Sequence, residues 1–123
     1  IQLAVATGKS RKGLDRVLAQ TQSQDLFVAT RAASETKSKP DPLMLTEILQ
    51  HTGVQASEAI MVGDTSYDLS MAQQIGMPSI GVAYGVHAVE VLQRYQPIYI
   101  AQNVNDLSQF LQTLEQMAFY LML

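Results

Sequence analysis

Five short apolar runs constrain the fold most: Leu3–Ala6, Leu26–Ala29, Ala59–Val62, Ser79–Ala83 and Ile98–Ile100. They are unbroken rather than alternating, and stretches with helical spacing separate them. A strand that is apolar on both sides is buried on both faces, as in a parallel sheet covered by two layers of helices. The expected fold class is α/β, a doubly wound parallel sheet forming one domain over residues 1–123. Ser10 is placed to cap a helix with Leu14, Val17 and Leu18 on one face. Residues 30–39 read as a polar loop. Asp41 as N-cap and Pro42 at the first helical position open a helix carrying Leu45, Ile48 and Leu49, which Gly53 ends. A further helix runs from Ser66 to Ile75, closed by Gly76 and Pro78. Gly85 ends the fourth strand, a short helix spans Val89–Arg94, and the last helix starts near Asp106. Met44, Met61, Met71 and Met77 read as core filler. The apolar tail Phe119–Leu123 is expected to pack on something.

Hydrophobic residues make up 47% of the chain and charged ones 15%, a globular balance. With no cysteine, disulfides and thiolate metal sites are excluded, which is compatible with a cytoplasmic location. No apolar run approaches a bilayer span and no leader pattern opens the chain, so no membrane partner is expected. The chain begins at Ile1 inside an apolar run, which suggests a missing upstream segment. The net charge of −3 is uneven: residues 1–39 balance to +4 and residues 40–123 to −7. Such halves suit either an anionic ligand bound through a cation or ordinary surface patterning. An acidic domain without an aromatic-basic platform argues against nucleic acid.

The chemistry concentrates where the third strand ends, at Gly63-Asp64-Thr65-Ser66-Tyr67-Asp68. Two carboxylates aimed at one point repel unless a cation or proton separates them. Mg²⁺ commonly takes one or two carboxylates together with a substrate phosphate. The same residues also suit a plain helix start, with Asp64 or Ser66 as N-cap and Asp68 as a solvated first-turn acid. In open parallel sheets, ligands bind beyond the carboxyl ends of the strands. Two further polar features fall there: Thr7-Gly8-Lys9-Ser10 after the first strand, and Lys39-Pro40-Asp41-Pro42. A hydroxyl and free N–H groups at a helix start hold an anion, and a Lys places a point charge on it. Gly8-Lys9-Ser10 is not the end of a P-loop, because position 3 is Leu where that motif requires Gly. Lys37 competes with Lys39. Lys9 and Arg11 read as a solvated first helical turn, His51 as a helix-end charge and His87 as a surface residue.

Thr7-Gly8-Lys9, Lys39-Pro40 and Gly63-Asp64 with Asp68, in that order, resemble the second, third and fourth motifs of the haloacid dehalogenase superfamily. The nearest subgroup is the phosphoglycolate phosphatase-like hydrolases, and the likeness runs from about Leu3 to Leu111. It implies a Rossmann-like core, a phosphorylated small metabolite as substrate and Mg²⁺ as cofactor. By this resemblance Thr7, with Gly8, contacts the phosphoryl group. Lys39 offsets its charge, Asp64 ligates the metal, and Asp68 orders metal-bound water or the loop. The family's nucleophile is the first Asp of an Asp-x-Asp motif, which none of these 123 residues forms. Its cap domain is missing as well. The chain therefore resembles the carboxyl-terminal part of such a core, lacking the first central strand, and alone it should be inactive. A phosphate- or metal-binding remnant without catalysis is the alternative. A response-regulator receiver has its acid pair before its Thr and Lys, the opposite order. Loss of the central strand, which lies between the strands ending at Thr7 and Asp64, would leave two open edges. Self-association through those edges is expected, with direct closure of Leu3–Ala6 onto Ala59–Val62 as the competing outcome.

Overall fold

A computed structural model describes residues 2–83, 88–114 and, as backbone, 119–122. Strand β1 (Gln2–Thr7) leads into helix α1 (Arg11–Thr21) and strand β2 (Phe27–Ala32). Helix α2 (Leu43–Thr52), strand β3 (Ala59–Gly63), helix α3 (Ser66–Gln74) and strand β4 (Ser79–Val82) follow. Helix α4 (Val89–Gln93), strand β5 (Tyr99–Ala101), helix α5 (Val104–Gln112) and strand β6 (Phe119–Met122) complete the order. All strand pairs are parallel, and the spatial order is β2-β1-β6-β3-β4-β5. The expected doubly wound sheet is present.

Strands β3 and β4 are buried on both faces throughout, as the unbroken runs require, and β1 is buried from Ala4 on, whereas edge strand β2 leaves Val28 exposed. Ala4 and Ala6 of β1 and Ala59 and Met61 of β3 join Met44, Leu45 and Ile48 of α2 and Met71 of α3 in one core. The alternate residues face the other way. Val5 meets Leu14 and Leu18 of α1, and Ile60 and Val62 share a cluster with Leu107, Phe110 and Leu111 of α5. Two helical layers thus cover the sheet, α2 and α3 on one side, α1 and α5 on the other.

The middle of the sheet is the principal finding. The apolar tail lies between β1 and β3 as β6, with Leu121 in register with Ala4 on one side and Met61 on the other. The direct closure considered above is therefore not what forms, and the facing edges of β1 and β3 are paired rather than open. Among the described residues the sheet's outer edges are β2 and β5.

Several local expectations shift. Val17 is 38% exposed and lies off the buried stripe of α1. Leu26 sits in a 3-10 turn before β2, and β2 runs on to Ala32, followed by a 3-10 turn at Ala33–Glu35, where a loop was expected. Side-chain bonds explain this extension: Thr30, inside the expected loop, accepts from the Arg11 guanidinium, and Glu35 accepts from the N–H of Ala32. Helix α2 starts one residue late, at Leu43, whose N–H donates to Asp41 Oδ1 at 2.9 Å. Gly53 ends it in the left-handed region, at φ 72°. Gly85 and His87 lie outside the described residues.

Ile48 is fully buried at the centre of the α2 face. Ile48→Ala should destabilise the fold by about 2–5 kcal/mol. Chemical denaturation reads this, and a loss well under 1 kcal/mol would mean that α2 does not pack as described.

Candidate functional site

The turn after β3 is built around a buried acid. Thr65 caps α3: its hydroxyl accepts from the N–H of Asp68 at 3.3 Å. In return Asp68 Oδ2 accepts from the Thr65 hydroxyl at 2.8 Å and from its N–H at 3.2 Å. This reciprocal box satisfies the first-turn donors and fixes the carboxylate. Neither Asp64 nor Ser66 is the cap. Asp68 is fully buried rather than solvated, and its other oxygen, Oδ1, receives the ammonium of Lys39. A Cβ on Gly63 would lie 2.3 Å from Asp68 Cβ, so only glycine lets the strand end pass this side chain.

The Lys39 side chain is 12% exposed and spans from the loop before α2 to α3. That loop is tied to α3 a second time, because Gln74 Nε2 donates to the carbonyl of Pro40 at 2.9 Å. Lys37, the competing cation, is exposed. Asp64 differs from Asp68: it is half-buried, and among the described residues its carboxylate has no hydrogen-bond or ion-pair partner. Thr7, at the end of β1, is 8% exposed and its hydroxyl oxygen accepts from the N–H of Lys9 at 3.2 Å. That bond leaves the hydroxyl proton of Thr7 free to donate. Gly8, next in the chain, has nothing within 4 Å of where a Cβ would stand.

Parallel strand direction sends Thr7 and Gly63 to the same end of the sheet, with β6 between them. Lys39, Asp68, Thr7, Gly8 and Asp64 therefore share the carboxyl-end side of the sheet, and Lys39 and Asp68 are in direct contact. Arg11 is not a solvated residue. Its guanidinium donates to Thr30, Asp15 and Glu35, the last at 2.6 Å, and holds the start of α1 against β2. That hydrogen bond also lowers the pKa of Glu35. Arg11, Glu35 and exposed His51 line an open cleft of about 570 Å³ beside β2 that shares no residue with the site. Lys9 is exposed, as expected.

For a cation, the donor set is small. Asp68 is engaged on both oxygens, and among the described residues no three acids or histidines gather to hold a metal. One carboxylate without a protein partner, Asp64, is the kind of donor that Mg²⁺ takes while keeping most of its waters. Thr65 and Gln74 were missed from sequence. Thr65-x-x-Asp68 is a readable capping pattern, whereas nothing local marks Gln74.

Residues 1–82 match the family described as haloacid dehalogenase-like hydrolase. The chain belongs to that family. It is 34% identical over 107 residues to a probable phosphatase, IndB, of Dickeya dadantii, covering 85% of this chain and 46% of that protein. It is 31% identical over 106 residues to a phosphoglycolate phosphatase of Vibrio vulnificus, covering 85% of this chain and 46% of the relative. A predicted phosphatase from Clostridium acetobutylicum has the same fold, with a TM-score of 0.83 and 28% identity, over 92% of this chain and 53% of that one. The chain thus spans about half the length of these relatives.

Two outcomes follow from the site's packing. Gly63→Ala should destabilise by about 1–3 kcal/mol through overpacking against Asp68, while Gly8→Ala should be near neutral. Equal thermal shifts for the two variants would contradict the contact. The lowered pKa of Glu35 gives a stabilising contribution that is complete above its unfolded value of about 4.3. It is lost as pH falls through the folded value, and Arg11→Met should remove it. It should be small, because the pair is partly exposed. Acid titration of the two proteins by circular dichroism measures it, and identical acid limbs would show that the clamp contributes nothing.

Proposed function

We infer that this chain is a core part of a Mg²⁺-dependent phosphomonoester hydrolase, of phosphoglycolate phosphatase type, working through an aspartyl-phosphate. The observation that carries the reading is the buried Lys39–Asp68 pair beside the unpartnered carboxylate of Asp64, on the same end of the sheet as Thr7. Family membership supports it.

In this reading the Thr7 hydroxyl donates to a phosphoryl oxygen, and the N–H of Gly8 adds a second donor. Lys39 faces the phosphoryl group with part of its positive charge, oriented by Asp68. Asp68 in turn is held by Thr65, and the loop that carries Lys39 is held by the bond from Gln74 to Pro40. Asp64 supplies the direct metal ligand, and Asp68, buried with both oxygens bonded to Lys39 and Thr65, acts through the loop. When bound, the metal neutralises charge on the phosphoryl oxygens. In the displacement itself a carboxylate oxygen bonds to phosphorus as the bond to the substrate's alkoxide breaks and that alkoxide takes a proton. Water then releases phosphate and restores the carboxylate. The attacking carboxylate is not among these 123 residues, since no Asp-x-Asp occurs in them. The residues present position and neutralise; they do not attack.

That lack favours a second reading, a phosphate- and metal-binding module without turnover. The two are separated by activity. A protein of these 123 residues should hydrolyse p-nitrophenyl phosphate and phosphoglycolate no faster than buffer. Turnover that survives repurification and disappears in Asp64→Ala would mean that another residue attacks. With one free carboxylate, Mg²⁺ should bind weakly, on the order of millimolar, and Asp64→Asn should abolish that binding. Titration calorimetry decides this; micromolar affinity would contradict the small donor set.

A further inference from the structure

The two outer strands of the sheet leave different edges. Strand β5 is three residues long, and so short an edge offers little to pair with. Strand β2 is six residues long, pairs with β1 alone among the described residues, and leaves Val28 43% exposed. The cleft beside it follows this edge, lined by Arg11 and Asp15 of α1, by Phe27–Arg31 and by His51 of α2. An edge of that length with open space next to it is a template for a further strand.

Two backbone groups of that edge are already taken. The Thr30 carbonyl accepts from Arg11 Nη2 at 3.3 Å and from Arg31 Nη1 at 2.8 Å. The Ala32 N–H donates to Glu35 Oε1 at 2.9 Å, and the same oxygen accepts from Arg11 Nη2 at 2.6 Å. Both groups face away from β1, since the next N–H along, that of Ala33, is the one that turns to the Lys9 carbonyl after β1. In a parallel pair, one residue of an added strand gives its N–H to the carbonyl before the residue it faces and takes the N–H after it. Opposite Arg31, these are the Thr30 carbonyl and the Ala32 N–H. A guanidinium N–H and a carboxylate oxygen, joined by their own ion pair, therefore stand where that residue's N–H and C=O would stand. The 3-10 turn Ala33–Glu35 holds the carboxylate there, and Ser34 Oγ in that turn accepts from the N–H of Arg11 at 2.9 Å.

Stability alone does not account for this arrangement. The two side chains are 33% and 37% exposed, and ion pairs open to solvent add little to a fold. We propose that Arg11 and Glu35 guard the β2 edge: they occupy the backbone groups that a further strand needs and so keep the sheet from pairing there with another chain. An incoming strand would have to strip two charged side chains from the edge before it could form a bond. The inference depends neither on the phosphate chemistry nor on which segment lies between β1 and β3, because α1, β2 and the turn after β2 carry all of its contacts.

The test compares this chain with the double variant Arg11→Met, Glu35→Ala by sedimentation equilibrium between about 10 µM and about 500 µM, a range over which unpaired edges meet other chains. Amide exchange at Ala32 is followed in parallel. The expected result is an average mass that climbs with concentration in the variant well beyond any climb in the parent chain. The Ala32 N–H should exchange fast in the dilute variant and slowly in the concentrated one. Adding Thr30→Pro removes the N–H that faces the same way as the Thr30 carbonyl, and should abolish the climb. A variant that is folded by circular dichroism and matches the parent's mass at every concentration would overturn the proposal, as would a climb that Thr30→Pro leaves unchanged. Should the double variant not fold, Glu35→Ala alone decides, because it frees the Ala32 N–H and leaves Arg11 on Thr30 and Asp15. The same climb in mass and slowing of Ala32 exchange would support the guard, and mass and exchange that ignore concentration would refute it.

Discussion

Backbone pairing on both sides of Phe119–Met122 is the interaction on which the rest of this structure depends. A parallel sheet gains little from any one hydrogen bond, since folding exchanges bonds to water for bonds within the protein. What β6 supplies is continuity. With it, the helical layers pack over one surface: α2 packs on β1 and β2 in one core with Ala59 and Met61 of β3, and α5 packs on β5 in a core that also takes in Leu3 of β1. The spacing of the site follows, since β6 sets the distance between the strand that delivers Thr7 and the strand that delivers Asp64. The placement of Thr7 relative to Asp64 is in this sense conditional on the strand between them.

The site itself shows a division between two acids four residues apart. Asp68 is enclosed by Thr65 and Lys39 and fixes the loop after β3 to the loop before α2. Asp64 is half-buried and has no protein partner among the described residues. Breaking a buried ion pair leaves an uncompensated charge, a cost of about 3–5 kcal/mol. Lys39 and Asp68 are therefore structural partners, whatever further part they take in the proposed site. Gly63 belongs to the same arrangement, because the close passage of β3 by Asp68 is what buries the carboxylate.

Much of this was legible in the sequence because the signals are local. Unbroken apolar runs announced a sheet buried on both faces, and Gly53 marked a helix end that its positive φ bears out. Asp64 could be placed just past a strand end, and Asp68 in the first turn of the next helix, from spacing alone. What escaped were bonds between distant parts of the chain. The extension of β2 through Thr30 depends on Arg11, nineteen residues away, and the tie from Gln74 to Pro40 spans thirty-four. The tail Phe119–Leu123 was recognisably in need of a partner, but nothing local pointed it to the centre of the sheet. That choice is made by the edges of β1 and β3, which composition does not encode.

The account stands on β6 lying between β1 and β3, and nuclear magnetic resonance of the backbone tests this most directly. Cross-strand proton contacts should link residues 119–122 to residues 2–5 on one side and to residues 59–62 on the other, in the registers Ala4 with Leu121 and Met61 with Leu121. Contacts running directly between Leu3–Ala6 and Ala59–Val62, with none to residues 119–122, would contradict it.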